Sequence, residues 1–377
     1  MTTEALVLAV TAVVLGSALT ALRWWDVRPG RPGAPLVVRA QALVPGAGAL
    51  GVVVLVPSLV AGEGVLAAAA GALVAVHAAV AAPAWLARPP RAQEDPAPRL
   101  RVAALNVWYG RADVEAAAAL LQRLRPDLVA LVEISPPALA HLEETGALAP
   151  YPYRVGRAAE GGVGTVLAAR WPMEEVLTDD DELPRHGIVR AQVVEQQLWG
   201  LFERPLADAR DPASDNPAAR LHLPAGAGHG GPDGTASAGA ADGASVLVRA
   251  AHPYYPALRD VRPWRRQLAA LERWCRAQTG PVVVLGDLNA TPDHPALRRL
   301  LVPAGPMRRA AAEAGRGRLP TWPVAGPLPG FRGLIALDHV LVDGLDVRGA
   351  GARRVRGTDH RAVWADLALS PPSRRSA

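Results

Sequence analysis

Hydrophobic and polar positions divide the chain into two unlike parts. Ala5–Leu22 carries no charge, Ala40–Gly62 carries none, and from Gly64 to Ala87 the only titratable residue is His77. Each stretch reaches the roughly 18–20 residues that cross a hydrocarbon core. Three transmembrane helices, at about 5–22, 40–62 and 64–87, are therefore expected within residues 1–87. A signal peptide is the alternative for the first, but it lacks a basic n-region. A buried hairpin is the alternative for the other two, yet their Ala, Gly and Ser suit close helix packing in lipid. His77 is expected to pack rather than to relay protons.

Residues 88–98, RPPRAQEDPAP, form a Pro-rich polar linker. Beyond it the pattern alternates between strands and helices. LRVAALNV (100–107) is a strand. Asp113 caps a helix with apolar Val114, Ala117, Leu121 and Leu124, and Pro126 closes it. LVALVEI (128–134), nearly all apolar, reads as a central strand. A helix near 137–146 and strands near 163–169, 188–194 and 245–251 follow. Trp264, Leu268, Leu271 and Trp274 mark a helix ended by Gly280. Strands at 281–286, 337–342 and 361–367 complete the set. Residues 196–244, rich in Gly, Ala and Ser, read as a flexible surface insertion, and residues 370–377 as a disordered tail.

Composition changes this picture little. The net charge of +5 permits contact with phosphates or anionic headgroups without demanding nucleic acid. One cysteine, Cys275, excludes an intramolecular disulfide and a cysteine-based zinc site, and it reads as a buried structural thiol.

The chemistry gathers at strand ends. Asn106 ends the first strand and Glu133 the second. His252 follows SVLVRA, and Asp287 and Asn289 end PVVVLGDLN. Asp338 and His339 open LDHVLV, and Asp359 and His360 precede the last strand in GTDHRAV. Each has an ordinary alternative as a cap, a turn residue or a solvated face. Six segments carrying such residues at their ends are better explained by one sheet rim, where loops build sites. Alternation along a strand would aim Asp287 and Asn289 the same way. Glu133 and Asp359 are hard oxygen ligands that suit Mg2+ or Mn2+, and Asn106 adds a neutral oxygen. His252 and His360 can donate to phosphoryl oxygens or move protons, and Asp338 can orient and charge His360. Asp287 could activate water while Asn289 holds it or a phosphate oxygen. Together this is equipment for metal-assisted hydrolysis of a phosphate ester or anhydride.

LNVW, LVEI, GDLNATPDH, LDHVLV and GTDHRAV resemble the ordered motifs of the endonuclease/exonuclease/phosphatase superfamily over residues 99–369. The resemblance implies an α+β fold in four layers, an α/β/β/α sandwich of two facing mixed sheets flanked by helices. It also implies that Glu133 is the main metal ligand with Asn106 beside it, and that Asp359 is the second carboxylate on the metal side. Asp287 and Asn289 would position water and phosphate, His252 would contact phosphate, Asp338 and His360 would form an Asp–His pair, and His339 would pack or touch substrate. YPYRVG, HPYYP, TWP and NATPDHPALRRLL, with the apolar helices, resemble the VanJ-like membrane branch associated with teicoplanin resistance. That branch implies a multi-pass membrane protein whose catalytic domain faces outward. Arg23, Arg28, Arg31 and Arg39 after the first helix, and Arg88, Arg91, Arg99 and Arg101 after the third, argue instead for the cytoplasm. Long domains translocate largely regardless of charge, so the outer face is taken as the expectation. The expected substrate is a phosphate-containing, lipid-linked molecule such as a polyprenyl pyrophosphate. A nuclease of the same superfamily, and a membrane-tethered binding protein with a degenerate site, are the alternatives.

Overall fold

A computed structural model describes residues 1–88, 99–176, 218–222, 245–324 and 333–369. The linker at 89–98, the strand expected at 188–194, most of the 196–244 insertion and the 370–377 tail lie outside the described residues.

The apolar front end folds into α1 (Thr3–Leu22), α2 (Ala34–Ala42), α3 (Val44–Val60) and α4 (Gly64–Leu86). By length and composition α1 and α4 can each cross a membrane. The single span expected at 40–62 is instead a bent pair, α2 and α3, whose axes differ by 60°. Pro45 stands in the first turn of α3 and has no N–H with which to continue the preceding helix. Small residues let the helices approach. A Cβ at Gly48 would lie 2.8 Å from the His77 ring, and His77 Nε2 lies 2.9 Å from Thr20 Oγ1. The outward faces are apolar, with Val7, Leu8, Val53 and Val65 all exposed.

The rest is two six-stranded mixed sheets. The first contains β1 (Arg99–Asn106), β2 (Leu128–Val132), β3 (Tyr153–Arg157), β4 (Thr165–Ala169), β11 (Leu345–Arg354) and β12 (Arg361–Leu369), in the order β11-β12-β1-β2-β4-β3. The second contains β5 (Met173–Glu175), β6 (Ala218–His222), β7 (Ser245–Ala250), β8 (Val282–Asp287), β9 (Arg308–Arg309) and β10 (Asp338–Asp343), in the order β5-β6-β7-β8-β10-β9. Strand β6 lies inside the stretch expected to be an unstructured insertion. Its Ala218, Ala219 and Leu221 are buried and it pairs with β5 and β7.

Each sheet buries both faces. Between the sheets lie Val102, Leu128, Leu167, Val248, Leu285 and Leu367 among others. On the outer face of the first sheet, α5 (Val114–Leu124) and α6 (Pro136–Glu144) cover Leu105, Val129 and Leu131. On the outer face of the second, α7 (Arg262–Ala277) and the short α8 (Pro295–Arg298) cover Val282 and Val284. A single-turn helix, α9 (Ala310–Glu313), follows β9. Burial on both sides explains the unbroken apolar runs of β2 and β8, since neither strand has a solvent face to mark. The parallel pairs β1–β2 and β7–β8 lie at the middle of the sheets, so the C-terminal ends of these strands open onto one rim.

Candidate active site

Chain direction and register bring the strand-end residues together on that rim. Asn106 ends β1 opposite Val132, and Glu133 follows directly in the left-handed region at φ 59°. Such a conformation costs about 1–3 kcal/mol in a non-glycine residue and persists only where surroundings enforce it. Here it turns the Glu133 carboxylate back over the end of β1. Asn106 Nδ2 donates to Glu133 Oε1 at 2.8 Å and to Asp287 Oδ2 at 3.1 Å, while the Tyr109 N–H reaches Glu133 Oε2 at 3.1 Å. A neutral oxygen facing a metal was expected of Asn106. Its Oδ1 accepts from the Trp108 N–H at 2.8 Å, and its Nδ2 faces the two carboxylates.

Asp287 is the hub. Its Oδ1 accepts from the Asn289 N–H at 2.9 Å. Its Oδ2 lies 3.9 Å from His252 Nε2 and 3.7 Å from His360 Nε2. His252 Nε2 is also 3.4 Å from Glu133 Oε1. Asp338 pairs with Asp287 across the β8–β10 ladder and binds His360 Nδ1 through Oδ2 at 2.8 Å. Asn289 reaches the same rim by a different route from the one expected. It lies beyond the end of β8 at φ 47°, so strand alternation does not orient it, and its Nδ2 donates to the Pro253 carbonyl at 3.0 Å.

Depth separates the groups. The side chains of Asp287, Asp338 and His360 are 2, 0 and 7% exposed, whereas those of Glu133, His252 and Asp359 are 12, 14 and 18% exposed. The latter three therefore line the side open to solvent. Asp359 stands 3.9 Å from His360 Nε2 through Oδ1, and its Oδ2 accepts from Trp322 Nε1 at 2.9 Å. Thr358 donates to the Asn106 carbonyl at 2.8 Å and accepts from the His360 N–H at 3.1 Å, tying β12's entry to the end of β1.

Burial raises the Glu133 pKa above the usual carboxylate range, and His252 and Asn106 only partly offset it. Burial alone would strip the proton from His360, but the carboxylates of Asp338 and Asp287 outweigh it and hold the imidazole charged well above the usual histidine range. His339 is a packing residue. Its Nε2 lies 2.9 Å from the Ala290 carbonyl, and burial pulls its pKa down to about 3. Cys275 is buried, and burial pushes its thiol up to about 12, which suits an inert role.

The donor set fits a divalent cation. Potential ligand atoms of Glu133, His252 and Asp287 lie within 4.8 Å of one another, as do those of Asp287, Asp338 and His360. Asp338 Oδ1 and Asp359 Oδ1 are buried without a hydrogen-bond partner. Crowded carboxylate oxygens with imidazole are a donor set that could hold a divalent metal ion.

Two contributors escaped the chemical reading. Thr321 Oγ1 accepts from the N–H groups of Leu337 and Asp338, each at 3.1 Å, and Trp322 anchors Asp359. Their signal was the TWP motif, which bears no ionisable group and so drew attention only as part of a resemblance.

Several solved structures are similar to this chain over most of its length. D. rerio TDP2 complexed with single-strand DNA product matches with TM-score 0.47 and 10% identity, covering 72% of this chain and 99% of that one. An endonuclease/exonuclease/phosphatase from Beutenbergia cavernae matches at 0.43 and 19% identity, covering 72% of each chain. A family protein from Bacteroides thetaiotaomicron matches at 0.45 and 13%, covering 73% of this chain and 99% of that one. No curated protein matches the chain. The family model described as Endonuclease/Exonuclease/phosphatase family matches residues 103–360, and the chain belongs to that family, whose members are usually hydrolases acting on phosphoesters.

Proposed function

We propose that this protein is a membrane-anchored, divalent-metal-dependent phosphohydrolase. It would cleave a phosphoester or phosphoanhydride of a lipid-linked substrate, with a polyprenyl pyrophosphate as the type, and would belong to the VanJ-like membrane branch. Residues 1–87 would form the membrane unit and 99–369 the catalytic unit. The observation that carries the reading is the convergence of six segments on Asp287 Oδ2 and its neighbours at the mouth of both sheets.

Glu133 and Asp359, with Asp287 between them and the histidines, would hold Mg2+ or Mn2+. An ion held there would supply charge neutralisation and polarisation at the phosphoryl group. The chain's own groups do the rest. The Asn289 N–H fixes Oδ1 of Asp287, and Oδ2, which also accepts from Asn106 Nδ2, would take the proton of the attacking water. His252 and His360 both turn Nε2 toward that oxygen, so both can donate to phosphoryl oxygens in the same space. Asp338 keeps His360 charged and oriented. The apolar helices α1 and α4 support the membrane assignment, and with it a substrate that resides in lipid.

The test is phosphate release by the full chain in detergent with Mg2+, across prenyl pyrophosphates, phospholipids and supercoiled DNA. Release from a prenyl pyrophosphate, lost in Glu133→Gln and in chelator, is the expected result. Release from soluble esters alone would remove the lipid substrate, and nicking of the plasmid would move the reading to a nuclease.

A further inference from the structure

A Pro-rich linker after the membrane helices suggests a tether. The contacts of the front end say otherwise. Arg23 at the end of α1 and Arg318 of the catalytic unit both pair with Asp293, whose side chain is wholly buried. Arg265 Nη1 donates to Asp26 Oδ1 at 2.6 Å and to the Val27 carbonyl at 3.0 Å. Val27, Ala34 and Val38 sit in the same buried cluster as Trp264, Leu268 and Val284. Gln41 of α2 donates to the carbonyls of Leu22 and Trp25 at 2.9 and 2.8 Å, which fixes α2 against the exit of α1.

Two routes run from α2 into the active site. In the first, Arg39 Nε donates to the Pro256 carbonyl at 3.0 Å, in the loop that starts at His252. Asn289 Nδ2 binds the same loop at Pro253. In the second, His294 accepts the Thr291 N–H at Nδ1 at 2.8 Å, so Nε2 carries the proton and donates to the Val38 carbonyl at 2.8 Å. The His294 ring packs edge-on against Trp264 at 5.2 Å, and Trp264 Nε1 donates to the Asn289 carbonyl at 3.1 Å. Asn289 in turn fixes Asp287 Oδ1.

We infer that the stretch from Arg23 to Gln41 is a positioning element of the active site, acting through Arg39 on the His252 loop and through His294 and Trp264 on Asn289. The front end is then a wall of the catalytic unit as well as its anchor. Its kinetic consequence rests on the phosphohydrolase reading, and its structural consequence does not.

The experiment uses the full chain in detergent micelles with Mg2+ and bis(4-nitrophenyl) phosphate, a soluble diester without a lipid tail. Arg39→Met removes the donor to Pro256, Arg39→Lys restores one, and Trp264→Phe removes the indole N–H together with part of the buried ring system while keeping an aromatic ring. Displacement of a reacting group by a fraction of an ångström lowers turnover steeply, so Arg39→Met and Trp264→Phe should each lower kcat about tenfold with KM changed less than about twofold. Arg39→Lys should recover most of that loss. Hydrogen exchange of the amides in 252–260 should accelerate in Arg39→Met and return toward the parent rate in Arg39→Lys. Unchanged kcat in both variants, or unchanged exchange in 252–260, overturns the inference. If the parent protein releases no nitrophenol and no phosphate from any ester, the phosphohydrolase reading fails, and the exchange measurement alone still decides the positioning role.

Discussion

Asp287 and Asp338 stand directly opposite each other across the antiparallel β8–β10 ladder, both buried. Like charges in that position repel, and nothing in the ladder itself relieves them. Relief comes from outside the sheet. His360, arriving from β12 on the other sheet, lies 2.8 Å from Asp338 through Nδ1 and 3.7 Å from Asp287 through Nε2. Two carboxylates and one imidazolium therefore behave as a unit, and the facing sheets are joined through it at the catalytic rim.

A unit gives non-additive losses. His360→Gln and Asp338→Asn should each lower kcat by about 10²–10⁴, the usual contribution of a positioned acid–base group. The double variant should be no worse than the poorer single, because the second deletion removes a partner already idle. Steady-state kinetics on the three proteins checks this, and losses that multiply would show that the two residues act separately.

Removing the metal should expose the repulsion. Glu133 is held above the usual carboxylate range by burial, close to Asp287 through their shared Asn106 donor. Magnesium at about a hundredfold excess over its Kd should add about 2.7 kcal/mol to stability, and chelator should remove it. Glu133→Gln, which deletes one buried charge, should raise the melting temperature of the chelated protein and abolish the magnesium increment. Thermal melts of both proteins with and without Mg2+ read both effects, and a magnesium increment that survives in Glu133→Gln would discard Glu133 as a ligand.

The strands that build the rim were legible because β1, β2 and β8 are apolar runs ending in polar residues. Other elements hid for physical reasons. Strand β11 carries Gly349 and Gly351, which weaken any strand signal. Their value is space, since a Cβ at Gly351 would lie 2.9 Å from Trp364 Nε1. Edge strand β3 buries only Val155 and so shows no run. Asn289 was found for an incomplete reason, alternation, when a left-handed turn places it. The docking of α2 on His294 was not readable at all, because a backbone carbonyl at Val38 accepts the bond and carries no sequence signature.

Acid should draw on two buried neutral histidines to destabilise the fold. Burial holds His294 at about 4 and His339 at about 3, against an ordinary value near 6.5. Both rings are therefore neutral when folded but take up protons when unfolded. Between about pH 6.5 and 4 these two rings bind more protons in the unfolded state than in the native one, so the stability they contribute rises with pH through that window and is lost as pH falls. Each group adds a slope of up to about 1.4 kcal/mol per pH unit. Urea titrations from pH 7.5 to 5 measure it. His339→Asn should lower stability at pH 7 yet flatten the slope below pH 6.5, and an unchanged slope would contradict the buried neutral ring.

Gly286 decides whether β7 and β8 can deliver their residues to one point. Its φ of 139° is disfavoured for any side chain, and a Cβ there would lie 2.3 Å from the Ala251 carbonyl oxygen. That oxygen is backbone and cannot swing away. The Ala251 N–H is held to the Leu285 carbonyl at 2.9 Å, and Ala250 is in parallel register with Leu285. Gly286→Ala must therefore push apart the strand ends that carry His252 and Asp287, now 3.9 Å apart at their nearest polar atoms. Backbone strain of about 1–3 kcal/mol adds to the lost packing, so the total cost should reach about 3 kcal/mol or more. The protein that remains folded should also lose kcat beyond its loss of folded fraction, because the His252–Asp287 spacing widens. Urea unfolding with active-fraction kinetics separates the two effects. A variant within about 0.5 kcal/mol of the parent, the range of an ordinary surface change, would mean that the strands do not approach as closely as described.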